Sequence, residues 1–135
     1  MNPLERKYEA LTRLLDRLMA AAEDGAPIIV EGKKDSAALR ELGINAQIIC
    51  VKSSLKPVPD LLKTIKTKRE AIILTDFDRR GAELAKTVAS CLEELEVRPN
   101  LFYRRELGNL VKRDVKDVEG LASYVEKLKG IVERL

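Results

Sequence analysis

Residues 71–81 read AIILTDFDRRG. Ala71 to Leu74 are all apolar, with two β-branched isoleucines, which suits a strand covered on both faces. Thr75 follows, then Asp76 and Asp78 two positions apart, then Arg79, Arg80 and Gly81. Two like charges this close repel unless a cation or a proton lies between them. A buried strand running straight into such a pair sets it where ligands gather in parallel α/β sheets, beyond the carboxyl ends of the strands. The stretch therefore predicts a parallel sheet and a divalent metal held by Asp76 and Asp78.

On both sides of this run, strand-like and helix-like periods alternate. Residues 26–30 (APIIV) read as a strand followed by the polar EGKKD, and a helix is expected from Asp35 through SAALREL to Gly43. Residues 47–51 (QIICV) form a second strand followed by the turn KSSLKP, and Pro59 starts a helix expected to reach about Thr67. Gly81 opens a helix with Leu84, Val88, Leu92 and Leu95 on one face, and residues 100–103 (NLFY) are expected to form the fourth strand. An amphipathic helix over 3–23 precedes this pattern, begun by Pro3 and stopped near Gly25, and a helical spacing over 118–135 follows it. Strands alternating with helices of about ten residues imply right-handed crossovers and an α/β fold, a four-stranded parallel sheet flanked by helices. No repeat or linker divides the chain, so residues 1–135 are read as one domain, with a core over 26–105 and a C-terminal helical extension over 106–135.

The chain has 135 residues, 45% apolar and 35% charged, enough for one sizeable core. It contains no histidine, which excludes His-based triads, haem ligation through His and His-bearing zinc sites. Cys50 and Cys91 fit neither a zinc knuckle nor a CxxC pair, and Cys50 is expected to be a buried thiol. Any metal must then be held by oxygen, which points to magnesium, with manganese as the second choice. No apolar run approaches the roughly 20 residues that span a bilayer, and the start MNPLERKYEA lacks a signal core, so a cytoplasmic protein with no membrane partner is expected. The net charge of +3 permits a polyanionic partner without requiring one.

Three polar clusters follow predicted strands: Glu31, Gly32 and Lys33; Lys52 to Ser54; and Asp76 with Asp78. Glu31 is placed to complete the metal site or to act as general acid or base. Lys33 and Lys34 add positive charge for a phosphodiester, and Gly32 permits close approach of the backbone. Asp35 is read as the cap of the following helix, with metal binding as the alternative. The segment EGKKDS lacks the glycine spacing of a phosphate-binding Walker loop.

The combination of IIVEG with IILTDFDRRG resembles the Toprim domain, shared by topoisomerases, bacterial primases, overcoming-lysogenization-defect nucleases and the small ribonucleases that mature 5S ribosomal RNA. The run VEGKKDSAALREL and the turn KSSL are most similar to the 5S maturases, and the whole chain resembles the small stand-alone Toprim proteins of archaea. The resemblance covers residues 26–105. It implies a compact Rossmann-like fold, Glu31 as the acid/base residue, Asp76 and Asp78 as magnesium ligands, and Gly32 and Gly81 as structural glycines. Topoisomerases carry a third acidic residue where Arg80 stands here, which argues against their chemistry.

What the resemblance implies is a magnesium-dependent phosphodiester-cleaving enzyme, an endoribonuclease on structured RNA ahead of one on DNA. The expected contacts to nucleic acid are Lys33, Lys34, Lys52, Arg79, Arg80, Arg104 and Arg105, with a ribosomal or other protein presenting the RNA. The segment YRRELGNLVKRDVKDVEGL either tracks a nucleic-acid backbone through Arg104, Arg105, Lys112, Arg113 and Lys116 or is a solvated helix face. Asp117 and Glu119 are expected near the site only if this segment folds over the sheet edge. Aromatic residues are 4% of the chain, so few platforms for base stacking exist. Two rivals stand beside this reading. One is a non-catalytic, metal-dependent nucleic-acid-binding module. The other is a phosphatase of the haloacid-dehalogenase type, disfavoured because Arg80 stands where that group wants Thr or Val.

Overall fold

A computed structural model describes residues 1–65 and 69–135. Four short strands, β1 (Ile28–Val30), β2 (Ile48–Cys50), β3 (Glu70–Ile73) and β4 (Arg98–Asn100), pair in parallel in the order β2-β1-β3-β4. Among the described residues six helices surround them: α1 (Pro3–Glu23), α2 (Lys33–Glu41), α3 (Val58–Leu62), α4 (Arg79–Glu94), α5 (Phe102–Val111) and α6 (Leu121–Glu133).

Strand alternation divides the core between the two faces of the sheet. Ile28, Val30, Ile72 and Leu74 point to one face, where Leu11 and Leu18 of α1, Leu39 of α2, Leu107 of α5 and Leu121 and Leu128 of α6 cover them. Ile29, Ala71 and Ile73 point to the other, under Leu62 of α3 and Ala85, Val88 and Leu92 of α4. The central strand β1 is buried at every residue, as a strand covered by helices on both sides must be. Gly25 and Gly43 close α1 and α2 in the left-handed region, with φ of 105° and 85°.

The structure moves several expected boundaries. The fourth strand lies at 98–100, not 100–103, because the Asn100 side-chain oxygen accepts from the Phe102 N–H at 2.9 Å and turns the chain into α5. Pro99 is tolerated because β4 is an edge strand. Helix α2 begins at Lys33, so Asp35 is its third residue and not its cap; its carboxylate reaches back to accept from the Gly32 N–H at 2.9 Å. Helix α4 starts at Arg79, capped by Asp78. Helix α3 is shorter than expected where it is described, and the expected continuation through residues 66 and 67 lies outside the described residues. Cys50 is half-buried, not fully buried, and burial pushes its thiol up. No helix among the described residues is long and apolar enough to cross a membrane.

Candidate functional site

The chain leaves β1 toward β2 on one side and leaves β3 toward β4 on the other, so the sheet reverses direction between β1 and β3. The carboxyl ends of β1 and β3 meet at that reversal, the usual place for a ligand in such sheets. Glu31 directly follows β1, and Asp76 follows β3 three residues on. The Glu31 Oε2 accepts from the Asp76 backbone N–H at 2.8 Å, and the two carboxyl groups lie near enough to shift each other's charge. Lys52, from the turn after β2, places its Nζ 2.7 Å from the Glu31 Oε1. Glu31 is only 6% exposed, so this ion pair is the main compensation for its charge.

Burial and the neighbouring Glu31 carboxylate push the Asp76 carboxyl up to about 7, against an N–H···O bond from Val118 to its Oδ1 at 3.2 Å. Burial alone would raise Glu31 as well, but the hydrogen bonds from Lys52 and from Asp76 outweigh it and hold Glu31 below the usual carboxylate range. The two carboxyls titrate as an interacting pair, of which Asp76 takes up a proton the more readily.

Asp78 is engaged with the helix that follows it. Its Oδ1 accepts from the Gly81 N–H at 2.7 Å and so caps α4, whose first-turn amides favour a negative charge. A Cβ on Gly81 would lie 1.9 Å from the Asp76 carbonyl oxygen, so only glycine lets the helix start close under the loop. Gly32 differs, since a Cβ there would meet nothing nearer than the Ser53 Oγ at 3.7 Å.

The loop from Thr75 to Gly81 is tied down from three directions. The Thr75 hydroxyl donates to the Gly81 carbonyl at 2.7 Å. Arg104 of α5 donates through Nε to the Thr75 Oγ1 at 3.0 Å and through Nη2 to the Asp76 carbonyl at 2.7 Å, with a longer contact to the Asp78 carbonyl at 3.4 Å. The Phe77 N–H donates to the Lys116 carbonyl at 2.8 Å. Arg104, expected at a nucleic-acid backbone, thus spends its guanidinium on the loop. The sequence does carry a signal for this: Gly108 lies one turn after Arg104 on the same helical face, and a Cβ there would meet Phe77 at 3.2 Å, marking the face of α5 that closes on the loop.

Lys33, Lys34, Arg79, Arg80 and Arg105 are exposed. Lys34 lies 3.9 Å from Glu119, and Arg79 lies 3.8 Å from Glu83, both rim pairs worth little in water. The segment after α5 does fold over the carboxyl end of the sheet: the Val118 N–H donates to Asp76, and the Glu119 backbone lies near enough to Asp35 to favour its charged form. Asp35 is buried, and burial pushes its carboxyl up against that influence and the bond from Gly32. Asp117 turns away to accept from the Gly120 N–H at 2.8 Å. Sequence reasoning missed Val118, which acts only through its backbone.

Among the described residues no three acidic, His or Cys side chains converge as a metal cage. The pair that does meet, Glu31 with Asp76, is an all-oxygen donor set whose charge is offset at Glu31 by Lys52 and disfavoured at Asp76 by burial. That fits a magnesium ion, which takes one or two protein carboxylates and keeps its remaining positions for water or phosphate oxygen.

The Toprim domain matches residues 26–110, from the first strand through the helix that carries Arg104. The chain belongs to the Toprim-domain family. This Toprim protein is 39% identical to a UPF0292 protein of Thermococcus gammatolerans, over 91% of each chain. It is 37% identical to a UPF0292 protein of Methanocaldococcus jannaschii, over 89% of this chain and 93% of that one. An Aquifex aeolicus protein of solved structure shares the fold at a TM-score of 0.67 and 24% identity, over 80% of this chain and 94% of its own. Toprim membership suggests metal-dependent nucleic-acid processing, and such domains typically bind divalent metals. The relatives' names give no activity.

Proposed function

We propose that this Toprim protein is a magnesium-dependent phosphodiester-cleaving enzyme, an endoribonuclease acting on structured RNA. The observation that carries the reading is the pair of buried Glu31 and half-buried Asp76 at the reversal point of the sheet, held by Lys52 and bordered by exposed basic residues. Magnesium would be held by Asp76 and by Asp78 through its second oxygen, with Glu31 beside them. When bound, it supplies a positive charge against which the scissile phosphate's developing charge is stabilised. Glu31, kept ionised by Lys52, accepts a proton from the attacking oxygen, and Lys33, Lys34 and Arg80 position the backbone. Support for RNA comes from the likeness of VEGKKDSAALREL and KSSL to the 5S maturases. A protein that presents the RNA would supply selectivity that so small a surface lacks.

One observation favours a second reading, a metal-dependent docking module without cleavage: the Asp78 carboxylate is already engaged as the cap of α4. The test compares wild type with Asp76→Asn and Asp78→Asn on labelled precursor 5S RNA, other structured RNAs and plasmid DNA, with magnesium, manganese or chelator. Discrete cutting of RNA that needs metal and falls at least a hundredfold in Asp76→Asn is the expected result. Metal-dependent binding by folded wild type with no cutting would select the docking module.

A further inference from the structure

A cavity of about 250 Å³ opens beside Asp78, between the loop and the outer face of α5. Phe77, the residue between the two aspartates, lines it together with Arg105, Asn109 and Lys112 of α5. Its volume lies below the roughly 300–1,000 Å³ of sites that enclose a whole small ligand, so it suits one portion of a longer molecule that continues toward the Glu31–Asp76 pair.

The lining is chemically mixed in one particular way. Phe77 offers an aromatic ring. Arg104 is committed to the Thr75 hydroxyl and the Asp76 carbonyl, which leaves Arg105 and Lys112 as exposed cations. The neighbour of Arg105, Glu106 at 3.3 Å, is a solvent-screened partner and does not cancel it. Asn109 is exposed and carries both a donor and an acceptor on its carboxamide. A ring for stacking, two cations and an amide are the complement of a nucleotide.

The ring is also held in advance. Gly108 sits in the middle of α5, where glycine costs about 1 kcal/mol relative to alanine. A Cβ at that position would approach the Phe77 Cδ1 to 3.2 Å, so the bare helix backbone packs against the ring. The Phe77 N–H is tied to Lys116 from the other side.

Resting on the reading that the acidic pair works on a nucleic-acid backbone, we infer that this cavity is a nucleotide subsite. It stacks the base adjacent to the scissile phosphate against Phe77 and holds that nucleotide's phosphate between Arg105 and Lys112. One stacked base has no sequence preference of its own, because every base has a π-face. The subsite therefore fixes where along a strand the metal acts, not which sequence is chosen.

The test reads binding, not cutting, with calcium in place of magnesium and the full-length chain. Anisotropy would compare a labelled oligoadenylate hexamer with an abasic chain of the same length, for wild type, Phe77→Leu, Gly108→Ala and Lys112→Glu, each checked for folding by its melt. Wild type is expected to prefer oligoadenylate about tenfold, the range for one stacked base. That preference should collapse toward unity in Phe77→Leu and shrink in Gly108→Ala, while Lys112→Glu weakens both ligands together. A preference that survives intact in both Phe77→Leu and Gly108→Ala overturns the subsite and leaves the proposed nuclease standing. So does equal binding of the two chains by wild type. If folded wild type binds neither chain, both the subsite and the nucleic-acid reading fail.

Discussion

Asp76 carries the largest electrostatic strain at the site, its pKa lifted from 3.8 to about 7 by burial and by the Glu31 carboxylate. Between those values the folded protein holds a proton that the unfolded chain releases, so stability falls as pH rises through that window. Glu31, with a lowered pKa, contributes in the opposite sense, but only as pH drops below its ordinary value of 4.5. Melting temperature is therefore expected to decline from pH 5 to pH 8 in the metal-free wild type. Asp76→Asn, which keeps a neutral group there, should flatten that decline and melt higher than wild type at pH 8. Magnesium should raise the wild-type melt at pH 8 and leave Asp76→Asn unmoved. The two motif glycines separate at the same scale. Gly81→Ala forces backbone apart at 1.9 Å and is expected to cost more than about 3 kcal/mol or abolish folding. Gly32→Ala meets only ordinary contact and should stay within about 1 kcal/mol in a denaturant melt, so any larger loss of activity there would report a ligand close to the backbone.

Helix α5 sets the shape of the loop from Thr75 to Gly81 through one side chain. Arg104→Ala removes two short hydrogen bonds from a half-buried guanidinium, an expected loss of roughly 1–3 kcal/mol. The magnesium-induced rise in melting temperature should shrink with it, which mere surface charge removal would not cause. Arg104→Lys is expected to recover less than half of either effect, because one ammonium cannot reach two acceptors set for a planar fork. This element was also where the sequence was hardest to read. NLFY looks like a strand because Phe and Tyr favour sheets, yet Asn100 turns the chain, and the buried stripe Tyr103, Leu107 and Val111 recurs every four residues as a helix requires. By contrast, the runs IIV and AII were legible at once, since a strand buried on both faces leaves no polar position to blur the pattern.

At the scale of the molecule, two hydrophobic layers sandwich one sheet, and the layer facing α1 depends on α6. Leu121 and Leu128 of α6 join Leu11, Leu14, Leu15 and Leu18 of α1 in one buried cluster. Leu128→Ala is expected to cost about 2–5 kcal/mol, and removal of 121–135 should leave a chain without cooperative melting, both checked by denaturant titration. Intact protein should show one transition. The helical spacing of the tail was readable, but its destination was not, because contacts between distant segments leave no local period in sequence. The meeting of Glu31 and Asp76 was half legible: a parallel sheet sets both strand ends on one side, and the pairing of β1 with β3 is what makes them neighbours.

The bonds from Phe77 to the Lys116 carbonyl and from the Val118 amide to Asp76 carry a consequence for timing. Both partners lie beyond the residues that match the Toprim domain, which end at 110. A nascent chain with only its first 110 residues outside the ribosome already owns every acidic residue of the candidate centre, but neither of the two backbone groups that seat the loop. The seating of that loop thus waits on the late arrival of a short stretch of main chain, so the candidate centre is completed only near the end of synthesis.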